Sequence, residues 1–125
     1  MVCSRRRWRR AEAAGRCWRF GKAVRRAIES WPGNERVAVI GTGGLSTGVL
    51  REDMDQMVLR AMAERDESVF NTMPHEWIKG PSGEVLAWIA TAGACEHLTM
   101  DVLDYIPIVR SPAATGCGVA FARWE

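Results

Sequence analysis

Apolar positions recur along this chain with different periods in different stretches, and each period implies a different element. Between Arg16 and Trp31, residues Cys17, Phe20, Val24, Ala27, Ile28 and Trp31 return at three- and four-residue spacing, while Arg19, Lys22, Arg25 and Arg26 fall mainly elsewhere on the helical wheel. This predicts an amphipathic helix, stopped at Trp31-Pro32-Gly33-Asn34 by a proline and glycine turn. The run Arg36-Val37-Ala38-Val39-Ile40 is β-branched and uninterrupted, which predicts a strand buried on both faces. It ends in the glycine-rich loop Gly41-Thr42-Gly43-Gly44-Leu45-Ser46-Thr47-Gly48.

From Asp53 to about Asp66, Met54, Met57, Val58, Ala61 and Met62 form the stripe of a second helix, with the methionines as core filling. Residues 67–81 carry Asn71, Pro74, Gly80 and Pro81 and are expected to be a loop with at most a helical turn. A third helix is expected to open near Ser82 as N-cap and to run through Val85, Leu86, Trp88, Ile89 and Ala92, apolar nearly all round and therefore buried. Residues 100–110 are strand-like but interrupted by Pro107, which predicts a position near a sheet edge. After a loop at 111–116, Gly118–Trp124 is expected as the closing strand. The order of elements predicts an α/β fold, with a partial mixed sheet, flanking helices and the glycine loop at the carboxyl edge of the sheet.

Composition narrows the classes. A chain of 125 residues is one domain at most, and hydrophobic and charged fractions of 47% and 26% are ordinary globular values. No stretch approaches the roughly 18 apolar residues of a membrane span, and no apolar segment follows the N-terminal arginines as a signal peptide requires. Cysteines at 3, 17, 95 and 117 contain no short pair of the zinc-binding kind, so reduced thiols and a cytoplasmic location are expected. The net charge of +2 hides an asymmetry. Residues 1–30 hold ten bases against Glu12 and Glu29, a charge of +8, and the remaining seven bases and thirteen acids leave −6. The first fifteen residues have no periodicity and a self-repelling arginine block, which predicts a disordered basic tail. Nucleic-acid binding by that tail, with Trp8 and Trp18 as stacking partners, is a third functional reading. No recognisable reader motif supports it, and a solvated helix face explains four of the cations.

Candidate chemistry is sparse. The loop Gly41-Thr42-Gly43-Gly44 has Ser46 where a dinucleotide fingerprint needs its third glycine, and it lacks the Lys-Ser/Thr of a phosphate loop. A tight turn is the simpler explanation. A non-haem iron site needs two imidazoles and a carboxylate on one face of the metal. Only His75 and His97 are available, and His97 follows Glu84 by 13 residues, too far along one helix to share an ion with it. Glu84 itself reads as an acid in the first turn of a helix, where the macrodipole favours it.

Four segments in order are similar to the C-terminal part of the class III extradiol ring-cleavage dioxygenases, the protocatechuate 4,5-dioxygenase type of catalytic subunit. They are Phe20–Ser30, Arg36–Thr47, Gly83–Ala94 with its Glu-x-x-x-Trp pattern, and Thr115–Phe121, and the resemblance covers about Arg16 to Trp124. It implies residues 16–125 as the C-terminal portion of a larger α/β domain. It also implies Fe(II) as cofactor, with a catechol-type aromatic ring and dioxygen as substrates. By position, Glu84 resembles the glutamate metal ligand, Thr47 stands where the family has its acid/base histidine, and Gly43, Gly44 and Ser46 are implied beside the substrate. Threonine does not exchange a proton near neutral pH as imidazole does. The family's two histidine ligands come from an N-terminal half with no counterpart here, so the expectation is a truncated chain, inactive alone. The alternative is a non-catalytic subunit, forming a homo- or hetero-oligomer with a partner that supplies the histidines.

Overall fold

The computed structural model describes residues 13–125. Most of the expected basic tail therefore lies outside the described residues, but Ala13, Ala14 and Gly15 are helical. Helix α1 spans Ala13–Glu29, so the chain is already helical three residues before Arg16. The stripe it buries is also not the expected one. Ala14, Trp18 and Gly21 face inward, whereas Phe20 and Trp31 remain 64% and 63% exposed. Small residues prevail because α1 lies close against α4 (Val85–Ala94). A methyl on Gly21 would overlap Ala90 O and lie 2.7 Å from Ala94 N, and one on Gly93 would meet the Trp18 carbonyl.

Arg36–Ile40 is not a strand. Its backbone joins no ladder among the described residues, and Val37 and Ile40 are 54% and 81% exposed. A strand buried on both faces needs sheet neighbours to take up its amides and carbonyls, and none of the described residues pairs with it in a ladder.

Helix α2 (Glu52–Glu64) buries Met54, Val58 and Met62, as its stripe predicts. It ends at Arg65, a left-handed residue whose guanidinium donates to Glu96 O at 2.5 Å and Leu98 O at 2.9 Å. Where a loop with at most a helical turn is expected, a six-residue helix α3 (Glu67–Thr72) forms, because Asp66 accepts from Ser68 N at 3.1 Å and so caps it. Its Phe70 is fully buried, with its ring centroid 5.2 Å from that of Trp18. The third expected helix, α4, begins at Val85 rather than near Ser82, following a tight turn at Gly80–Glu84. It is buried along most of its length, with Val85, Ile89 and Ala92 at 0% exposure.

Three strands form the sheet: β1 (Thr47–Val49), inside the glycine loop and unforeseen, β2 (Met100–Val109) and β3 (Thr115–Trp124). Their order is β1-β3-β2 and both ladders are antiparallel. The edge place that Pro107 predicts for β2 is the one it takes. β3 begins three residues earlier than expected because Gly116 and Cys117 pair on both sides, with Gly48 and Thr47 on one and with Val109 and Ile108 on the other. Helices and a partial sheet make up the expected α/β class. One sheet face packs on the core through Met100, Tyr105, Ala120, Ala122 and Trp124, and the opposite face leaves Ile106, Ile108 and Phe121 exposed.

Candidate functional site

The glycine loop is pinned where it meets β3. Leu45 N donates to Gly118 O at 2.9 Å and Gly118 N donates to Ser46 O at 2.8 Å, which carries the chain straight into β1. Gly43 adopts φ +136°, a conformation side chains rarely accept, and its carbonyl accepts from Trp88 Nε1 at 2.8 Å. These contacts bring the loop over the start of α4. There Glu84 Oε2 accepts the Gly44 amide at 2.7 Å.

Gly44 is the point of convergence. A methyl group there would lie 2.6 Å from Cys117 Sγ, 2.8 Å from Thr47 Oγ1 and 3.6 Å from Glu84 Oε2. The loop, the α4 start and β3, which the sequence separates by up to 73 residues, thus present a carboxylate, a hydroxyl and a thiol at one place. Thr47 Oγ1 lies 3.4 Å from Cys117 Sγ and donates to Leu45 O at 3.3 Å. Ser82, expected as a helix cap, serves Thr47 instead. Its hydroxyl accepts from Thr47 N and donates to Thr47 O, each at 3.0 Å, and no side chain caps the start of α4. Glu84 is solvent-exposed at the helix start. Its carboxylate can therefore take a further donor or cation, and Thr47 can donate or accept a hydrogen bond but not act as a base near neutral pH.

The other sequence candidates divide. Gly43 and Gly44 border the convergence, while the Ser46 side chain is fully buried and bound to Asp55. His97 lies beyond the end of α4, in contact with Arg25. The ten residues of α4, at about 1.5 Å each, separate it from Glu84 by about 15 Å. His75 sits in the turn His75–Ile78, its Nδ1 buried with no hydrogen-bond partner. Among the described residues no group of three or more His, Cys, Asp or Glu side chains could hold a metal ion. No described helix is long and apolar enough to cross a membrane. The α1 cations are largely engaged, Arg19 with Glu67 at 3.1 Å, Lys22 with Glu96 at 3.5 Å and Arg25 with Glu29 at 2.6 Å.

Sequence reasoning missed Asp55, Ser82, Trp88 and Cys117 as partners of the loop. Trp88 carries a visible signal, four residues after Glu84 on one helix face; the other three carry none without the fold. A groove of about 620 Å³, lined in part by Trp88, lies between the Val37–Gly41 segment and the ends of α1, α4 and β3.

A family model described as the catalytic LigB subunit of aromatic ring-opening dioxygenase matches residues 10–111. Gallate dioxygenase of Pseudomonas putida (strain KT2440) is 54% identical over 33 residues, which make up 26% of this chain and 10% of that protein. The match therefore spans about a tenth of that relative's length.

Proposed function

This chain belongs to the family of the catalytic LigB subunit of aromatic ring-opening dioxygenases, and on that footing we propose that it is part of an enzyme that opens a catechol-type ring with dioxygen. Within that reading, residues 16–125 form the C-terminal portion of a class III extradiol domain of the protocatechuate 4,5-dioxygenase type, and Glu84 is the carboxylate it contributes to the metal site. The observation that carries this reading is the hydrogen bond from Gly44 N to Glu84 Oε2, which joins two of the family-like segments at one place. Thr47 and Cys117 stand beside that bond, and Gly43 and Gly44 are the loop residues that the resemblance sets beside the ring.

Dioxygenases of this family are generally non-haem iron enzymes. The donors described here do not fit that metal by themselves. Glu84 is a single carboxylate, His97 is about 15 Å away along α4, and His75 belongs to neither the loop nor α4. A histidine-bearing segment has to complete the set before ring opening, and the chain alone is expected to be inactive. The test adds Fe(II) and gallate or protocatechuate to the pure chain without oxygen, then admits oxygen. No ring-opened chromophore and no oxygen uptake above the protein-free control are expected. Sustained turnover would overturn the requirement for a second segment.

Exposure of the Val37–Ile40 run favours a second reading, a non-catalytic subunit that pairs with a partner chain. Size-exclusion chromatography with light scattering separates the two: association of the chain with itself or a partner supports it, and a monomer at all concentrations with no partner captured argues against it. For a nucleic-acid role of the tail, removal of residues 1–15 should abolish a salt-sensitive affinity; unchanged binding would exclude the tail as its source.

A further inference from the structure

Asp55 is a buried acid that binds the loop through Ser46. It lies in the first turn of α2 at 0% exposure. Withdrawing a carboxylate from water costs several kcal/mol unless its oxygens are filled by donors, and here they are. Oδ1 accepts Ser46 N at 2.7 Å, and Oδ2 accepts Ser46 Oγ at 2.8 Å and Tyr105 OH at 2.7 Å. Ser46 Oγ in turn accepts Arg51 N at 2.9 Å. Space for the carboxylate exists because residue 118 is glycine: a methyl there would overlap Oδ2 and lie 2.8 Å from Cγ. The loop, α2, β2 and β3 therefore meet on one side chain.

Two of the three donors come from Ser46, which is buried and so has no reason of its own to be near the candidate site. Its neighbours do. Gly44, two residues before, donates to Glu84, and Thr47, next in sequence, donates to Ser82. With Ser46 clamped through both its amide and its hydroxyl, the backbone between Gly44 and Thr47 has little freedom to translate along α4. We propose that Asp55 is the positioning residue of this site: by holding Ser46 from beneath, it sets the register of the Gly43–Thr47 loop against Glu84. This deepens the reading of Glu84 as the site's carboxylate and rests on it.

Amide hydrogen exchange, followed by nuclear magnetic resonance on the full chain, tests this without metal or substrate. In Asp55→Asn, which places an amide group where donors converge, the Gly44 and Thr47 amides should exchange about tenfold faster or more, and the Gly44 amide resonance should move. Ser46→Ala keeps the amide bond to Asp55 and should give a smaller increase at the same two positions. Tyr105→Phe removes only the donor on the β2 side and should leave both amides unchanged. In each variant the α4 and β3 amides should keep their protection. If Asp55→Asn does not fold, Ser46→Ala decides. Unchanged exchange at Gly44 and Thr47, or an equal rise at every amide, would overturn the proposal and show a merely structural acid. Either result leaves the ring-opening reading standing, since no catalysis is measured.

Discussion

A single methyl group at residue 21 is expected to push apart the two helices on which the core is built. Replacing Gly21 by alanine should help α1 taken alone, because alanine is favoured over glycine in a helix interior by about 1 kcal/mol. The surroundings oppose this. The new carbon would overlap Ala90 O and lie 2.7 Å from Ala94 N and 2.9 Å from Ala90 C, all backbone atoms of α4 that no rotamer change can move. Restoring ordinary contact requires α1 and α4 to separate by about 1 Å, and a gap of that size forfeits a quarter to a half of the dispersion energy along the seam. Trp18 and Gly93 share that seam, since a methyl on Gly93 would overlap Trp18 O. Overpacking of this kind costs about 1–3 kcal/mol, and a clash with backbone belongs in the upper part of that range, about 2–3 kcal/mol, so after the helix-propensity gain the net loss should be about 1–2 kcal/mol. Urea unfolding followed by circular dichroism, with a slope of about 1–3 kcal/mol per molar for a small domain, would place the midpoint lower by about 1 M. A midpoint that rises, with unchanged slope, would mean that propensity outweighs packing and that the helices are not held at glycine distance.

Trp18→Ala, removing a side chain 1% exposed against Phe70, should cost about 3–5 kcal/mol and abolish most near-ultraviolet dichroism; a loss under about 1 kcal/mol would contradict the packing described. Ile40→Ser, at 81% exposure, should change stability by no more than about 0.5 kcal/mol while reducing any concentration-dependent association seen in light scattering. Burial, the hydrogen bond to Asp55 and the nearby acids hold the Tyr105 phenol above its usual range. The unfolded chain therefore releases this proton from about pH 10 upward while the native one retains it, so stability should fall as pH rises past 10. Tyr105→Phe should flatten that limb of the stability profile, and an identical decline in the variant would assign it elsewhere. Burial also pushes the Cys95 thiol up, so at neutral pH it should react with an alkylating reagent far more slowly than a free thiol does, with rapid labelling pointing to local opening.

Much of the element order is readable from residue pattern alone. The α2 stripe, the apolar run of α4, a loop between the last two strands and the edge place of β2 follow from periods, breakers and the missing amide of Pro107, all of which are local. Glu84 and the Gly43–Thr47 loop can be singled out for a related reason: their residue types and order along the chain resemble one family. The burial of α1 could not be read in the same way. A periodic stripe reports which face is apolar, yet Ala14, Trp18 and Gly21 bury because α4 comes close enough to require small side chains, and that approach is set by residues of another helix about 70 positions away.

Arg36–Ile40 carries this lesson further. Its composition is that of a buried strand, but a strand's amides and carbonyls are satisfied only by neighbours, and the described residues provide none. The same holds for Ser82, whose hydroxyl serves Thr47 rather than the helix beside it, and for Asp55, an unremarkable helical acid until Ser46 and Tyr105 close on it. Local sequence thus determined the helices α1, α2 and α4 and the strands β2 and β3, but not α3, β1 or the state of Arg36–Ile40, and family resemblance singled out Glu84. Tertiary structure decided which faces are buried, what Ser82 and Asp55 hold, and the meeting of Glu84, Thr47 and Cys117, because each depends on hydrogen bonds and close packing between residues distant along the chain.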